Sequence, residues 1–195
     1  MFLMPVCALP VVESGGGSVF TDDFTGTNGQ ALEDRTGWTA YNAAGNFEIS
    51  SNRLSAVGSG SNGVVLCNVS AVDGYAKAIW RGINSQCCFL CVRAADGSNN
   101  VSLRINKGGK LQVRSEVGGS HTQPISTSAS GLGFVADDEI QLEAEGDTVR
   151  VRRNGVSVIS ASLGGRNASD SGLGVGGSVL SGGTEIIDNF EAGPL

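Results

Sequence analysis

Val101-Ser-Leu-Arg-Ile-Asn106, then Lys107-Gly-Gly-Lys110, then Leu111-Gln-Val-Arg-Ser115, is the stretch that decides the fold. In an extended chain successive side chains point to opposite faces. Val101, Leu103 and Ile105 therefore share one side, and Ser102, Arg104 and Asn106 the other. A helix would place its apolar residues three and four apart, and these are two apart. Gly108-Gly109 turns the chain back, so the two runs form an antiparallel hairpin with one buried and one wet face.

The same grammar extends in both directions. Upstream lie Trp38-Thr-Ala-Tyr41, then Phe47-Glu-Ile-Ser50 and Arg53–Val57 around a Ser51-Asn52 turn, then Val64–Cys67, Tyr75–Arg81 and Cys87–Arg93. Downstream, Glu139–Glu145 and Thr148–Arg153 flank Gly146-Asp147, and Asn154-Gly155, a strong hairpin dipeptide, leads into Val156–Ile159. Residues 116–137 are rich in Gly, Ser and Thr and read as a long surface loop. Gly172–Gly176 and Thr184–Ala192 bring the total to about a dozen short strands without an amphipathic helix, the pattern of a sandwich or barrel. Val19-Phe-Thr-Asp-Asp-Phe24 and Ile187-Asp-Asn-Phe190 are predicted to lie side by side and close two antiparallel sheets into an all-β sandwich. Ile187 and Phe190 are three apart, so both point inward only if a bulge falls at Asp188-Asn189.

The chain has 195 residues, 40% hydrophobic and 16% charged, with 30 glycines scattered without a three-residue period. That supports one sizeable core and many tight turns, and it excludes a charge-rich disordered chain. The formal net charge of −6 argues against nucleic acid as a partner, which is normally held by a basic face. No apolar run approaches the roughly 20 residues of a membrane span. Of the five cysteines (Cys7, Cys67, Cys87, Cys88, Cys91), Cys88-Phe-Leu-Cys91 has CxxC spacing. It has no second CxxC, and His121 is the only histidine, so the usual zinc ligand sets are incomplete. The cysteines read as buried small hydrophobes of a chain assembled in a reducing cytosol.

Residues 1–18 read as an arm, and 19–195 as the sandwich domain. The arm's opening lacks a Lys or Arg before its apolar run and is broken by Pro5 and Pro10, unlike a secretion signal. Phe2, Leu3, Val6, Leu9, Val11 and Val12 make it greasy, and Glu13-Ser-Gly-Gly-Gly-Ser18 tethers it. Such a segment either folds back or enters a partner. The flexible tether favours a protein partner in an oligomer or larger assembly.

Taken in order, the strand over 88–93, Arg93-Ala-Ala-Asp-Gly, the next strand, Lys107-Gly-Gly-Lys and Leu111–Ser115 resemble concanavalin A-like, laminin-G-like jelly-roll domains. So do the hairpins over 139–159 and Ile187-Asp-Asn-Phe190, and Asp22-Asp-Phe-Thr-Gly26 is similar to the opening of such domains in bacterial and bacteriophage surface proteins. The resemblance spans roughly 19–193, and it implies a jelly roll used in lectins, glycan-binding modules and some glycosidases. Members resembling laminarinases carry Glu-x-Asp-x-x-Glu on a central strand. Glu185, Asp188 and Glu191 are instead spaced three and three on the closing strand, so Asp188 would point away from the other two.

Two sites are expected. Asp22, Asp23 and Asp188 supply hard oxygens where the terminal strands meet, which makes calcium the candidate ion. Tyr75, Lys77, Arg81, Arg93, Arg104 and Arg114 are expected on one polar sheet face as a glycan-binding set, ten of the thirteen basic residues being Arg. The resulting expectation is a non-catalytic structural or adhesion module. It would be a capsid decoration or tail fibre on a phage-like virion surface, assembled in the cytoplasm and anchored by its arm. The alternative is a secreted glycoside hydrolase or a free lectin domain.

Overall fold

The computed structural model describes residues 17–42, 46–57, 62–81, 87–105, 110–178 and 185–195, with backbone alone at 62, 87–89, 177–178 and 185. Two antiparallel sheets face each other. In one, the order is β13 (Val156–Ser162), β12 (Thr148–Arg153), β11 (Glu139–Glu145), β6 (Gly74–Trp80), β15 (Glu185–Pro194), β4 (Arg53–Ala56) and β3 (Phe47–Ser50). The short β1 (Phe20–Asp22) also pairs with β15, which makes this sheet eight-stranded. The seven-stranded sheet runs β10 (Ser120–Ser128), β9 (Lys110–Val117), β8 (Asn99–Ile105), β7 (Cys87–Asp96), β14 (Gly172–Ser178), β5 (Asn62–Ser70) and β2 (Trp38–Tyr41).

The alternation in the opening stretch places Val101, Leu103, Ile105, Leu111 and Val113 in the core between the sheets. They meet Ala76, Ile140, Leu142, Val149 and Val151 of the other sheet. The terminal strands do lie side by side, Phe20 opposite Ala192 and Asp22 opposite Phe190. The bulge is present. The β15–β6 register shifts between Asp188 and Glu191, and Asn189 takes φ 51°, so Ile187 and Phe190 both point into the core. Trp38 crosses from the seven-stranded sheet to stack its edge against this seam, 5.1 Å from Phe20 and 5.0 Å from Phe190 between ring centres.

One strand departs from expectation. Residues 120–128, read as loop, form β10 on the edge of the seven-stranded sheet, joined to β9 across Gly118-Gly119. Ile125 is its one strand residue in the core, and the register shift between Thr122 and Ile125 accommodates Pro124. An edge strand that buries so little leaves no hydrophobic alternation to see. The arm residues Phe2, Leu3, Val6, Leu9, Val11 and Val12 lie outside the described residues.

Candidate functional site

The outer face of the seven-stranded sheet is built by register. Thr39 lies opposite Leu66, Leu66 opposite Gly174, Gly174 opposite Cys91, Cys91 opposite Ser102, and Ser102 opposite Arg114. These residues form one row crossing six strands at right angles to them. With about 4.8 Å between strands the row is roughly 24 Å long. At its β2 end Thr39, Tyr41, Leu66, Asn68, Ser70, Ala94 and Gly172 line a shallow groove of about 320 Å³. Tyr41 is 42% exposed there, and Thr39, Asn68 and Ser70 are exposed beside it.

The floor depends on glycine. Gly172, Gly174 and Gly176 point outward while Leu173 and Val175 enter the core. A Cβ on Gly174 would sit 2.2 Å from the Val65 carbonyl oxygen and 2.8 Å from Leu66 Cα. Only a bare strand lets β5 and β7 close in on either side. Val64, Leu66, Cys91 and Ala94 then make a small apolar cluster separate from the main core. Cys67 and Cys91 are buried and not joined in a disulfide, and burial pushes the Cys67 thiol up to about 11. A thiol so hard to ionise packs as a small hydrophobe.

The predicted glycan set is divided between the two sheets. Arg104 and Arg114 share the face just described, at its β8–β9 end. Arg104 Nε donates to Gln112 Oε1 at 2.7 Å, and Arg114 Nη2 lies 3.2 Å from His121 Nε2. Tyr75 and Lys77 are on the outer face of the eight-stranded sheet, where Tyr75 donates to Glu191 at 2.5 Å and Lys77 approaches Glu191 at 3.3 Å. Burial, and then the bond to Glu191, raise the Tyr75 phenol well above its ordinary value. Arg81 bridges Asp137 and Asp188 at the end of that sheet. Arg93 is 2% exposed and bonds the Val72 carbonyl and Asp73, so it braces a loop. Sequence parity within a strand is legible, but which sheet a strand joins is a tertiary outcome.

The predicted calcium set also separates. Asp22 takes Arg35 on both oxygens, at 2.5 and 2.9 Å, together with Trp38 Nε1 at 2.8 Å and the Phe24 N–H. Burial would raise its carboxyl, yet these bonds outweigh burial and hold its pKa below the usual carboxylate value. Asp23 caps the Thr25 N–H, and Asp188 turns to Arg81. Among the described residues no cluster of three or more His, Cys, Asp or Glu is arranged for a metal. A second, wider cleft of about 780 Å³ opens at this seam. Asp23, Gln30, Asp34, Thr36, Asn189 and Glu191 line it among others. Sequence reading missed this cleft because its walls come from two ends of the chain and the loop between β1 and β2.

No protein-family model and no curated protein matches the chain. Solved structures do. Crh5 transglycosylase in complex with NAG aligns at a TM-score of 0.61, covering 92% of this chain and 85% of that one at 10% identity. A prokaryotic beta-1,3-1,4-glucanase (lichenase) derived from a mouse hindgut metagenome aligns at 0.57, covering 91% and 100% at 10% identity. The carbohydrate-binding module CBM66 from Bacillus subtilis aligns at 0.54, covering 82% and 93% at 16% identity.

The fold is the concanavalin A-like jelly roll.

At these identities the likeness establishes the fold, and residue roles do not transfer. It nonetheless overturns the expectation of a virion module. These neighbours are a transglycosylase, a glucanase and a carbohydrate-binding module, and none is a capsid decoration or a tail fibre. The expectation that the chain is no enzyme also falls, since two of the three are enzymes built on this jelly roll. Among the described residues no helix is long and apolar enough to cross a membrane.

Proposed function

We propose that this protein is carbohydrate-active and receives a glycan in the groove at the β2 end of the outer face of the seven-stranded sheet. The groove at Tyr41 carries the reading. An exposed aromatic ring presents an apolar face to a sugar, and Thr39, Asn68 and Ser70 surround it with hydroxyl and amide groups that match sugar hydroxyls. A protein with this role works where polysaccharide is met, outside the cell. Binding to a panel of soluble polysaccharides, followed by calorimetry, tests the reading. Tyr41→Ala should weaken the best ligand about tenfold, the value of roughly 1.4 kcal/mol of ring contact. Unchanged affinity in that variant removes the groove from the site.

A second reading is cleavage of a glycosidic bond in the seam cleft. Asp23 and Asp34 are both exposed and line one 780 Å³ cavity, and a pair of carboxylates is what such hydrolysis normally requires. Release of reducing ends from the bound polysaccharide should then fall at least about a hundredfold in Asp23→Asn or Asp34→Asn. If both variants release them at the unaltered rate, the cleft is not catalytic.

A further inference from the structure

Charge is missing from the lining of the groove at Tyr41: none of the residues around it is acidic or basic. Its polar members are Thr39, Tyr41, Asn68, Ser70 and Ser171, and among the described residues none of their side chains has a hydrogen-bond partner. The charged residues next to it in the chain are tied elsewhere. Arg93 donates to the Val72 carbonyl and Asp73, Asp96 accepts from the Ser98 N–H and the Asn99 amide, and Asp170 accepts from the Asn167 amide. Leu66 and Ala94, both buried, give the floor an apolar character. The groove is also short. Gly174, Cys91 and Ser102, which follow Leu66 across the sheet, are buried, so the open surface stays at the β2 end. Along β5 the lining runs from Leu66 to Ser70, about 13 Å of extended chain. A volume of about 320 Å³ is at the small end of ligand sites, room for about one or two sugar rings.

We infer, resting on the glycan-binding reading, that the groove selects a short, uncharged saccharide unit over an acidic one. A carboxylate or sulfate set against Leu66 and Ala94 would give up water with no cation to replace it, a costly exchange even when partial. A sugar hydroxyl or acetamido group gives up less. The hydroxyls of Thr39, Tyr41, Ser70 and Ser171 both donate and accept, and the Asn68 amide offers each kind of group, so uncharged substituents find partners in either direction. The net charge of −6 adds a diffuse repulsion towards any polyanion.

Calorimetry with matched pairs tests it, each pair sharing a backbone and differing in charge. Suitable pairs are dextran with dextran sulfate, hydroxyethyl cellulose with carboxymethyl cellulose, and methyl-esterified with de-esterified galacturonan. In every pair that binds, the neutral member should be at least about tenfold tighter, with less than about a twofold change between about 50 and 500 mM salt. A disaccharide cut from the leading polymer should bind within about threefold of its hexasaccharide. Ser70→Lys sets a cation on the exposed rim and should narrow the gap within a pair at least about threefold at low salt, while thermal melting shows the variant folded. A smaller lead for the neutral member, or a lead for the acidic one, overturns the selection and leaves the glycan reading standing so long as Tyr41→Ala still weakens binding. A gap that Ser70→Lys leaves unchanged places the discrimination outside the groove and overturns it too. A hexasaccharide more than about threefold tighter than the disaccharide overturns the short site. If no member of any pair binds, and nothing in the wider polysaccharide panel does, both readings fall.

Discussion

The Asp22 carboxylate gathers Arg35, the Trp38 indole and the Phe24 N–H into one knot beneath the seam. Its side chain is 7% exposed, so replacing it strands a cation and an indole N–H together. Asp22→Asn is expected to cost about 3 kcal/mol in urea unfolding, the scale of a broken buried pair, against under about 1 kcal/mol for an exposed one. A loss at the lower figure would mean that the knot is solvent-screened. The sign of the pH effect follows from the lowered carboxyl. Its folded pKa lies below the unfolded value of about 3.9, so its stabilisation is complete above that pH. It is lost as pH falls through the folded value, and melting temperatures of the Asn variant should lack this part of the acid-side decline. Asp22 itself stood out in the sequence. Its partner Arg35, thirteen residues on, did not, because nothing in local spacing says which cation the chain will return.

At the scale of the element, β14 shows why a strand with little side chain is retained. Leu173 and Val175 hold it to the core, and the intervening glycines let β5 and β7 close over its outer side. Gly174→Ala would set a methyl against the Val65 carbonyl, which is backbone and has nowhere to go. We expect it to cost at least about 2 kcal/mol, the range of an overpacked site, measured as a lower urea midpoint at unchanged slope. Full stability in that variant would show that the strands can part without loss. The alternation of β8, β9, β11 and β12 was legible, because each has one face in the core and one in water. β10 was not: it lies on the edge, buries chiefly Ile125 and carries Pro124 at an irregularity. The bulge of β15 was legible for the opposite reason, since two core residues three apart admit no other geometry.

For the whole molecule, the two faces of the sandwich have different electrostatic characters. On the outer face of the eight-stranded sheet acid and base alternate, and Glu143, 1% exposed, lies beneath Arg150 and Arg152. Burial would raise that carboxyl too, but its arginines outweigh burial and lower it. On the seven-stranded sheet the groove at the β2 end is lined by uncharged residues, and towards the other edge Arg104 meets Gln112 and Arg114 meets His121. The expected ligand set of Tyr75, Lys77, Arg81, Arg93, Arg104 and Arg114 joined both faces, because every member has the right chemistry and lies on or beside a strand. The sequence by itself determined the class of fold, most strand limits, the pairing of the strand at 20–22 with the closing strand and the burial of Cys67 and Cys91. Each of these follows from local periodicity or from which side chains water rejects. Only the tertiary structure decided which arginines share a face, which carboxylates are already taken and where the two clefts open. Those depend on the order of strands within the sheets, which is set by contacts between residues far apart in the chain.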